Sequence, residues 1–177
     1  MKRQTLIIVN GLPASGKSTL ADTLSKKFSI PVFKKDDFKG LLSDSGGLVD
    51  YESSKIFGGV SFSILYFIAK RCLESKGSLI IEGNFSPSKE NKSFIAWLKK
   101  RRMNVVEVLC FAKGEILIDR FAKRKRHPIH HTVQASFYEE KLSAGKIPPL
   151  RAGRCFELDT SDFSKIPYKR LLAFVSH

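Results

Sequence analysis

The chain has 177 residues, 42% of them hydrophobic and 27% charged, which marks a globular protein able to bury a core and excludes a disordered or low-complexity chain. Against 17 Asp and Glu stand 31 Lys and Arg, a formal charge of +14 that favours anionic partners: nucleotides, phosphorylated metabolites, nucleic acid or an anionic membrane surface. Three dispersed cysteines, Cys72, Cys110 and Cys155, argue against a disulfide framework and suit a reducing cytoplasm.

A nearly continuous apolar run over 4–10 predicts a strand buried on both faces. The basic start Met1-Lys2-Arg3 precedes an apolar run too short for a signal peptide. Next comes Gly11-Leu12-Pro13-Ala14-Ser15-Gly16-Lys17-Ser18-Thr19, with the spacing Gly-x-x-x-x-Gly-Lys-Ser. Leu20, Leu24 and Phe28, four residues apart, predict a helix over 17–28. A short strand over 31–33 ends at Lys34-Lys35-Asp36-Asp37, and residues 43–50, with Gly46-Gly47, read as a loop. Residues 51–76 read as a long helix whose Phe57, Phe62, Tyr66 and Phe67 are expected in the core. Its apolar part, 56–69, is broken by Gly58-Gly59 and is expected to be a buried helix, with no membrane partner.

A second buried strand over 78–81 leads into Glu82-Gly83-Asn84. Then follow a helix from Pro87 to about 102, a strand over 105–111 and a helix over 114–126. A break at 127–131, a helix over 132–143, a loop over 145–153, a strand over 155–158 and a closing helix over 163–175 complete the chain. The whole reads as one domain, 1–177, without repeats or linkers. Strands alternating with helices predict an α/β fold, a parallel sheet with helices on both faces. In such sheets ligands bind beyond the carboxyl ends of the strands. The glycine-rich loop, Asp36-Asp37 and Glu82-Gly83-Asn84 all fall there.

The loop carries the clearest chemistry. Its backbone N–H groups form a nest for phosphate oxygens at a helix N-terminus, where the dipole favours negative charge. Gly11, Pro13, Ala14, Ser15, Gly16, Lys17, Ser18 and Thr19 are therefore the candidate nucleotide-binding set. Lys17 is placed on the β/γ-phosphates and the Ser18 hydroxyl on Mg²⁺. A phosphoryl acceptor needs a carboxylate to take its proton, and Asp36 is preferred over Asp37; the alternative is a solvated pair capping a short helix from Phe38. Glu82, at the end of an apolar strand, is a candidate to hold a Mg²⁺-bound water or touch the substrate, against a strand-end carboxylate that is only solvated. Arg120 and Arg124 share a helix face at i, i+4 and could clamp transferred phosphate, within a basic run that includes Lys123, Lys125 and Arg126. His127, His130 and His131 match no zinc spacing and are expected to contact nucleotide or substrate.

These pieces together resemble the small P-loop kinases of the nucleoside-monophosphate-kinase-like group. The resemblance is nearest to the branch of polynucleotide 5′-hydroxyl kinases, chloramphenicol phosphotransferases and zeta-toxin-like sugar kinases. It rests on 11–19, Lys35-Asp36-Asp37-Phe38-Lys39, 79–85, 120–131 and 157–162. It implies a five-stranded parallel sheet of order 2-3-1-4-5 with a lid at about 120–145. It also implies Asp36 as general base, Arg120 stacked on adenine or reaching the phosphates, Arg124 or Arg126 closing over the transferred phosphate, and 159–161, with Thr160, bordering the adenine. The chain departs from the branch at Lys39, where polynucleotide kinases carry Arg, and at Ile129, where related kinases carry Gly. The function so implied is an ATP- and Mg²⁺-dependent kinase acting on a hydroxyl of a small molecule. A polynucleotide or nucleoside 5′-hydroxyl kinase is the alternative within enzymes, and a nucleotide-binding NTPase switch the alternative outside them.

Overall fold

The computed structural model describes residues 4–85, 88–101, 103–125, 127–130 and 135–176. The elements run β1 (Thr5–Gly11), α1 (Lys17–Phe28), β2 (Val32–Lys34), α2 (Lys35–Gly46), α3 (Tyr51–Glu74), β3 (Leu79–Glu82) and α4 (Lys89–Lys100). They continue with β4 (Asn104–Phe111), α5 (Gly114–Lys123), α6 (Ala135–Ser143), β5 (Arg154–Asp159) and α7 (Tyr168–Ser176). The five strands form one parallel sheet in the order β2-β3-β1-β4-β5, as expected.

The central strand β1 is buried along its whole length, because alternate side chains enter two separate cores. Ile7 and Val9 pack with Leu20 and Leu24 of α1 and Leu171 and Val175 of α7. Leu6 and Ile8 pack on the opposite face with Leu65 and Leu73 of α3 and Phe94 and Leu98 of α4. A third cluster, Leu12, Ala112, Leu117 and Leu142, ties α5 and α6 to the carboxyl end of the sheet. All parallel strands therefore deliver their C-termini to one edge, where the site lies.

Several boundaries differ from the sequence expectation. Helix α2 starts at Lys35, so Asp36 and Asp37 lie in its first turn rather than capping a helix from Phe38. It also runs through Ser43–Gly46, read as loop. Ser43 Oγ donates to Leu48 O at 2.6 Å and Gly47 closes the helix at φ 63°, so the turn follows the first glycine of the pair instead of preceding it. Helix α5 stops at Lys123, and Arg124 is extended. Pro128, soon after, disfavours helical geometry at the residue before it, and the cations that end α5 suit a helix C-terminus. The closing helix is split, with a 3₁₀ turn at Phe163–Lys165 and α7 starting beyond Pro167, which cannot donate into a continuous helix. Phe67, expected in the core, is 65% exposed. Pro87, Arg126, His131 and 132–134 lie outside the described residues.

Candidate active site

The loop after β1 is shaped by two glycines. Gly11 has φ +149°, and a Cβ there would stand 2.2 Å from the Cys110 carbonyl oxygen of β4. Gly16 has φ +75° and caps α1; a Cβ there would stand 2.2 Å from Phe163 Cζ. Only glycine meets both demands. Ala14 is also left-handed, at φ 64°, and turns the loop into a concave row of donors. Pro13 shapes the loop but has no N–H to offer.

Lys17 is buried. Its Nζ donates to Leu12 O at 2.9 Å and stands 3.8 Å from Glu82 Oε1, while Ser18 Oγ donates to Glu82 Oε2 at 3.2 Å. Burial pushes the Glu82 carboxyl up, the Asp36 charge adds to the rise, and Lys17 and Ser18 oppose it. A hydroxyl and a carboxylate are hard oxygen donors suited to Mg²⁺. Among the described residues no group of three or more His, Cys, Asp or Glu could hold a metal, so a cation here needs phosphate oxygens to complete its shell. Ser15 Oγ is buried with no hydrogen-bond partner, an orphaned hydroxyl of the kind that a phosphate oxygen satisfies. These residues fit a magnesium nucleotide.

The floor of the loop is braced from below. Asn10 Oδ1 accepts from Gly11 N at 2.8 Å and from Phe85 N at 2.9 Å, joining the ends of β1 and β3. Asn10 Nδ2 donates to the fully buried Glu107 at 3.0 Å, and Glu107 also accepts from Leu150 N at 2.9 Å. Burial pushes the Glu107 carboxyl up against these hydrogen bonds. Thr160 is fully buried, its Oγ1 within 2.9 Å of both the Ser15 and Phe111 carbonyl oxygens, so it holds the loop rather than facing open space.

Arg120 turns towards the segment after β5. Its Nη2 donates to Thr160 O and Ser161 O, each at 3.0 Å, and its guanidinium lies 4.8 Å from the Phe163 ring centroid. Its Nη1 is buried and unpartnered. Because α5 ends at Lys123, Arg120 and Arg124 do not share a helix face, contrary to the i, i+4 expectation.

Arg124 instead lines a cavity of about 460 Å³ with Asp36, Asp37, Gly40, Leu41, Asp44, Lys125, His127 and His130. Lys35, buried at the start of α2, places Nζ 3.2 Å from Asp36 Oδ1 and lies over the Phe62 ring. Burial tends to raise the Asp36 carboxyl, but Lys35, His130 and Lys17 outweigh it and hold the group below the ordinary aspartate range. Asp37 is raised instead, by burial and by the nearby Asp22 and Asp36 charges, against the pull of Lys34. His127 Nε2 meets Asp44 Oδ1 at 2.9 Å, which fastens the 127–130 segment to α2, and the fully buried Ile129 anchors it. Lys39 donates to Ser54 Oγ at 2.6 Å inside the α2–α3 junction.

The AAA domain family AAA_33 matches residues 6–143. The chain belongs to this family. The AAA_33 chain is also similar to a crystal structure from Chloroflexus aurantiacus j-10-fl described as a "putative kinase", with 31% identity, TM-score 0.90, and coverage of 99% of this chain and 98% of that one. More distant likenesses share the fold. A sugar kinase from Janibacter sp. HTCC2649 has 14% identity and TM-score 0.58, covering 97% of this chain and 91% of that one. Shikimate kinase from Bacteroides thetaiotaomicron has 13% identity and TM-score 0.58, covering 98% and 99%. No curated protein matches the chain significantly. The architecture is that of a P-loop kinase.

Four features of this AAA_33 chain go beyond the residues singled out from sequence: Lys35 on Asp36, the Asn10–Glu107 brace, Phe163 over Gly16, and the Asp44–His127 link. Asn10 and Glu107 did leave a trace, each being a polar residue inside an otherwise apolar strand run. Phe163 and Asp44 left none, since only the fold brings them to the loop and to the histidines.

Proposed function

We propose that the protein is an ATP- and Mg²⁺-dependent kinase that phosphorylates a hydroxyl of a small polar molecule bound beside Asp36. The carrying observation is the Asp36 carboxylate, which lines the 460 Å³ cavity and feels the charge of Lys17 in the phosphate loop. A base that stays ionised at neutral pH, within the field of the phosphate-binding lysine, is what transfer to a hydroxyl requires. Asp36 takes the hydroxyl proton as the acceptor oxygen bonds to the terminal phosphorus and the bond from that phosphorus to the bridging oxygen breaks. The proton then leaves through the half-exposed carboxylate. Lys17 and the loop N–H groups stabilise the charge that collects on the phosphate oxygens. Ser18 and Glu82 would hold Mg²⁺, which supplies further charge neutralisation. Arg120, with Thr160 and the segment after β5, would border the base. Arg124, with Arg126 beyond the described residues, would close over the transferred group as part of a lid at about 120–145.

The cavity is lined by carboxylates, cations and histidines, with Leu41 its only large apolar group and no phenylalanine, tyrosine or tryptophan ring among the described lining residues. That favours a sugar-like polyol over a stacked base or an aromatic antibiotic. The named activities of the distant likenesses, a sugar kinase, shikimate kinase and a gluconokinase from Sinorhizobium meliloti 1021, point the same way. Lys39 is buried against Ser54, which weakens its case as a nucleic-acid phosphate contact. The experiment is ADP release from ATP and Mg²⁺ across a panel of sugars, sugar acids, nucleosides and a 5′-hydroxyl oligonucleotide. Stimulation by a polyol, with its phosphate ester as product, is expected. ADP release that is fastest with no acceptor would contradict the proposal and favour an NTPase switch.

A further inference from the structure

All five strands start at the edge of the sheet opposite the phosphate loop, so α3 and α4, which lead into β3 and β4, end there. On the face those two helices cover, three segments meet at this edge: 70–78, 99–104 and 150–152. Gln4 Nε2 donates to Leu73 O at 2.5 Å and to Gly77 O at 3.1 Å, which ties the end of α3 to the start of β1. Leu150 and Ala152 pack in one core with Leu73 and Leu98. The three segments hold eight Lys and Arg and one carboxylate, Glu74. Glu74 is taken by Arg71 at 3.6 Å. Among the described residues Lys70, Lys76, Lys99, Lys100, Arg101 and Arg151 have no carboxylate partner.

Helix dipoles favour cations at a C-terminus, but they do not account for this cluster. Arg151 ends no helix; it is exposed, in a left-handed turn at φ 55°. Two cations also share one ring, although one comes from α3 and the other from α4. Lys70 Nζ lies 5.7 Å and the Arg101 guanidinium 4.0 Å from the Trp97 ring centroid. Trp97 is itself stacked on the buried Phe94, with 6.2 Å between centroids, so the core holds both charges in place. Phe67, one turn before Arg71 on the same face of α3, offers an exposed ring beside that arginine.

We infer that this edge binds single-stranded nucleic acid, with phosphates on the cations and a base stacked on Phe67. Cations held in place suit charges at the fixed spacing of a phosphodiester chain, whereas a fluid lipid surface has no such spacing to match. An anionic membrane also draws on buried apolar area, and the described residues of α4 and 150–152 expose no large apolar side chain. The strand lies at the opposite end of the sheet from the phosphate loop and Asp36, so it is a bound partner and not the phosphoryl acceptor.

Fluorescence anisotropy of a labelled single strand of about twelve nucleotides, as DNA and as RNA, tests this with the full chain over a salt series. Dissociation constants of about 1 to 100 µM are expected near physiological salt, tightening steeply as salt is lowered. Lys100→Gln with Arg101→Gln removes two phosphate contacts. It should weaken binding by about 25-fold at 0.1 M salt and reduce the log–log salt slope by about 1.4. Lys26→Gln with Lys27→Gln removes the same charge from the end of α1 on the other face of the sheet, and should leave binding within about twofold. Phe67→Ala should weaken binding by about fivefold and leave the salt slope unchanged. No binding by the wild type overturns the inference, as does an equal loss in the two double variants. Binding abolished by saturating ATP at matched ionic strength also overturns it and places the strand in the active cleft. Phe67→Ala binding like wild type contradicts the stacked base. Co-sedimentation with phosphatidylserine vesicles, without oligonucleotide binding, would assign the edge to a membrane instead.

Discussion

On the nucleotide side of the cleft, the loop is held by buried, mostly backbone-directed contacts: Gly11 under the Cys110 carbonyl, Thr160 on Ser15 O, and Asn10 and Glu107 beneath. On the proposed acceptor side, Asp36, Arg124, His127 and Asp44 stand at least partly in solvent, and charge rather than packing relates them. One side is fixed by geometry that few residues satisfy. The other is tuned by electrostatics that many residue sets could supply. On the proposed function, specificity for phosphate would be built rigidly, and specificity for the acceptor would rest on side chains that can be exchanged without disturbing the sheet.

The contrast yields graded expectations. Lys17→Ala removes the buried cation of the rigid side and should lower phosphoryl transfer by about 10³-fold, read as ADP release at saturating acceptor. Gly16→Ala forces a left-handed alanine against Phe163. It should cost about 2 kcal/mol in thermal or denaturant unfolding and weaken ATP binding, measured calorimetrically, by at least about tenfold. Lys35→Met breaks the contrast on the acceptor side. Losing a cation beside Asp36 destabilises its ionised form, so its pKa rises. The acid limb of log(kcat/KM) against pH should then move to higher pH, while ATP affinity stays unchanged. His127→Ala should act least. Its half-exposed partnership with Asp44 is worth about 1 kcal/mol or less, so stability should barely move while the acceptor KM rises a few-fold. If His127→Ala impaired ATP binding as much as Gly16→Ala, the two sides would not be separable.

The same contrast explains what the sequence disclosed. The phosphate loop was legible because its glycines, Lys17 and Ser18 stand at a fixed spacing within nine consecutive residues, although the close approaches those glycines permit are to the distant Cys110 and Phe163. Strand order followed from the resemblance, and the two-faced burial of β1 from its nearly continuous apolar run. Arg124 was misplaced because the spacing rule assumes a helix that α5 does not continue. Phe67 was placed in the core because an aromatic on a long apolar helix does not reveal which side is covered. Lys35, Phe163 and the Asp44–His127 link depend on contacts between distant segments. Neither periodicity nor motif spacing encodes them.

The assignment of Asp36 as base is tested most directly by single-turnover phosphoryl transfer with wild type, Asp36→Asn and Asp37→Asn, alongside calorimetric ATP binding. With Asp36 as the base, Asp36→Asn should lose about 10²- to 10³-fold in the transfer rate while ATP affinity is retained, and Asp37→Asn should stay within a few-fold of wild type. Transfer by Asp36→Asn at the wild-type rate would contradict that assignment.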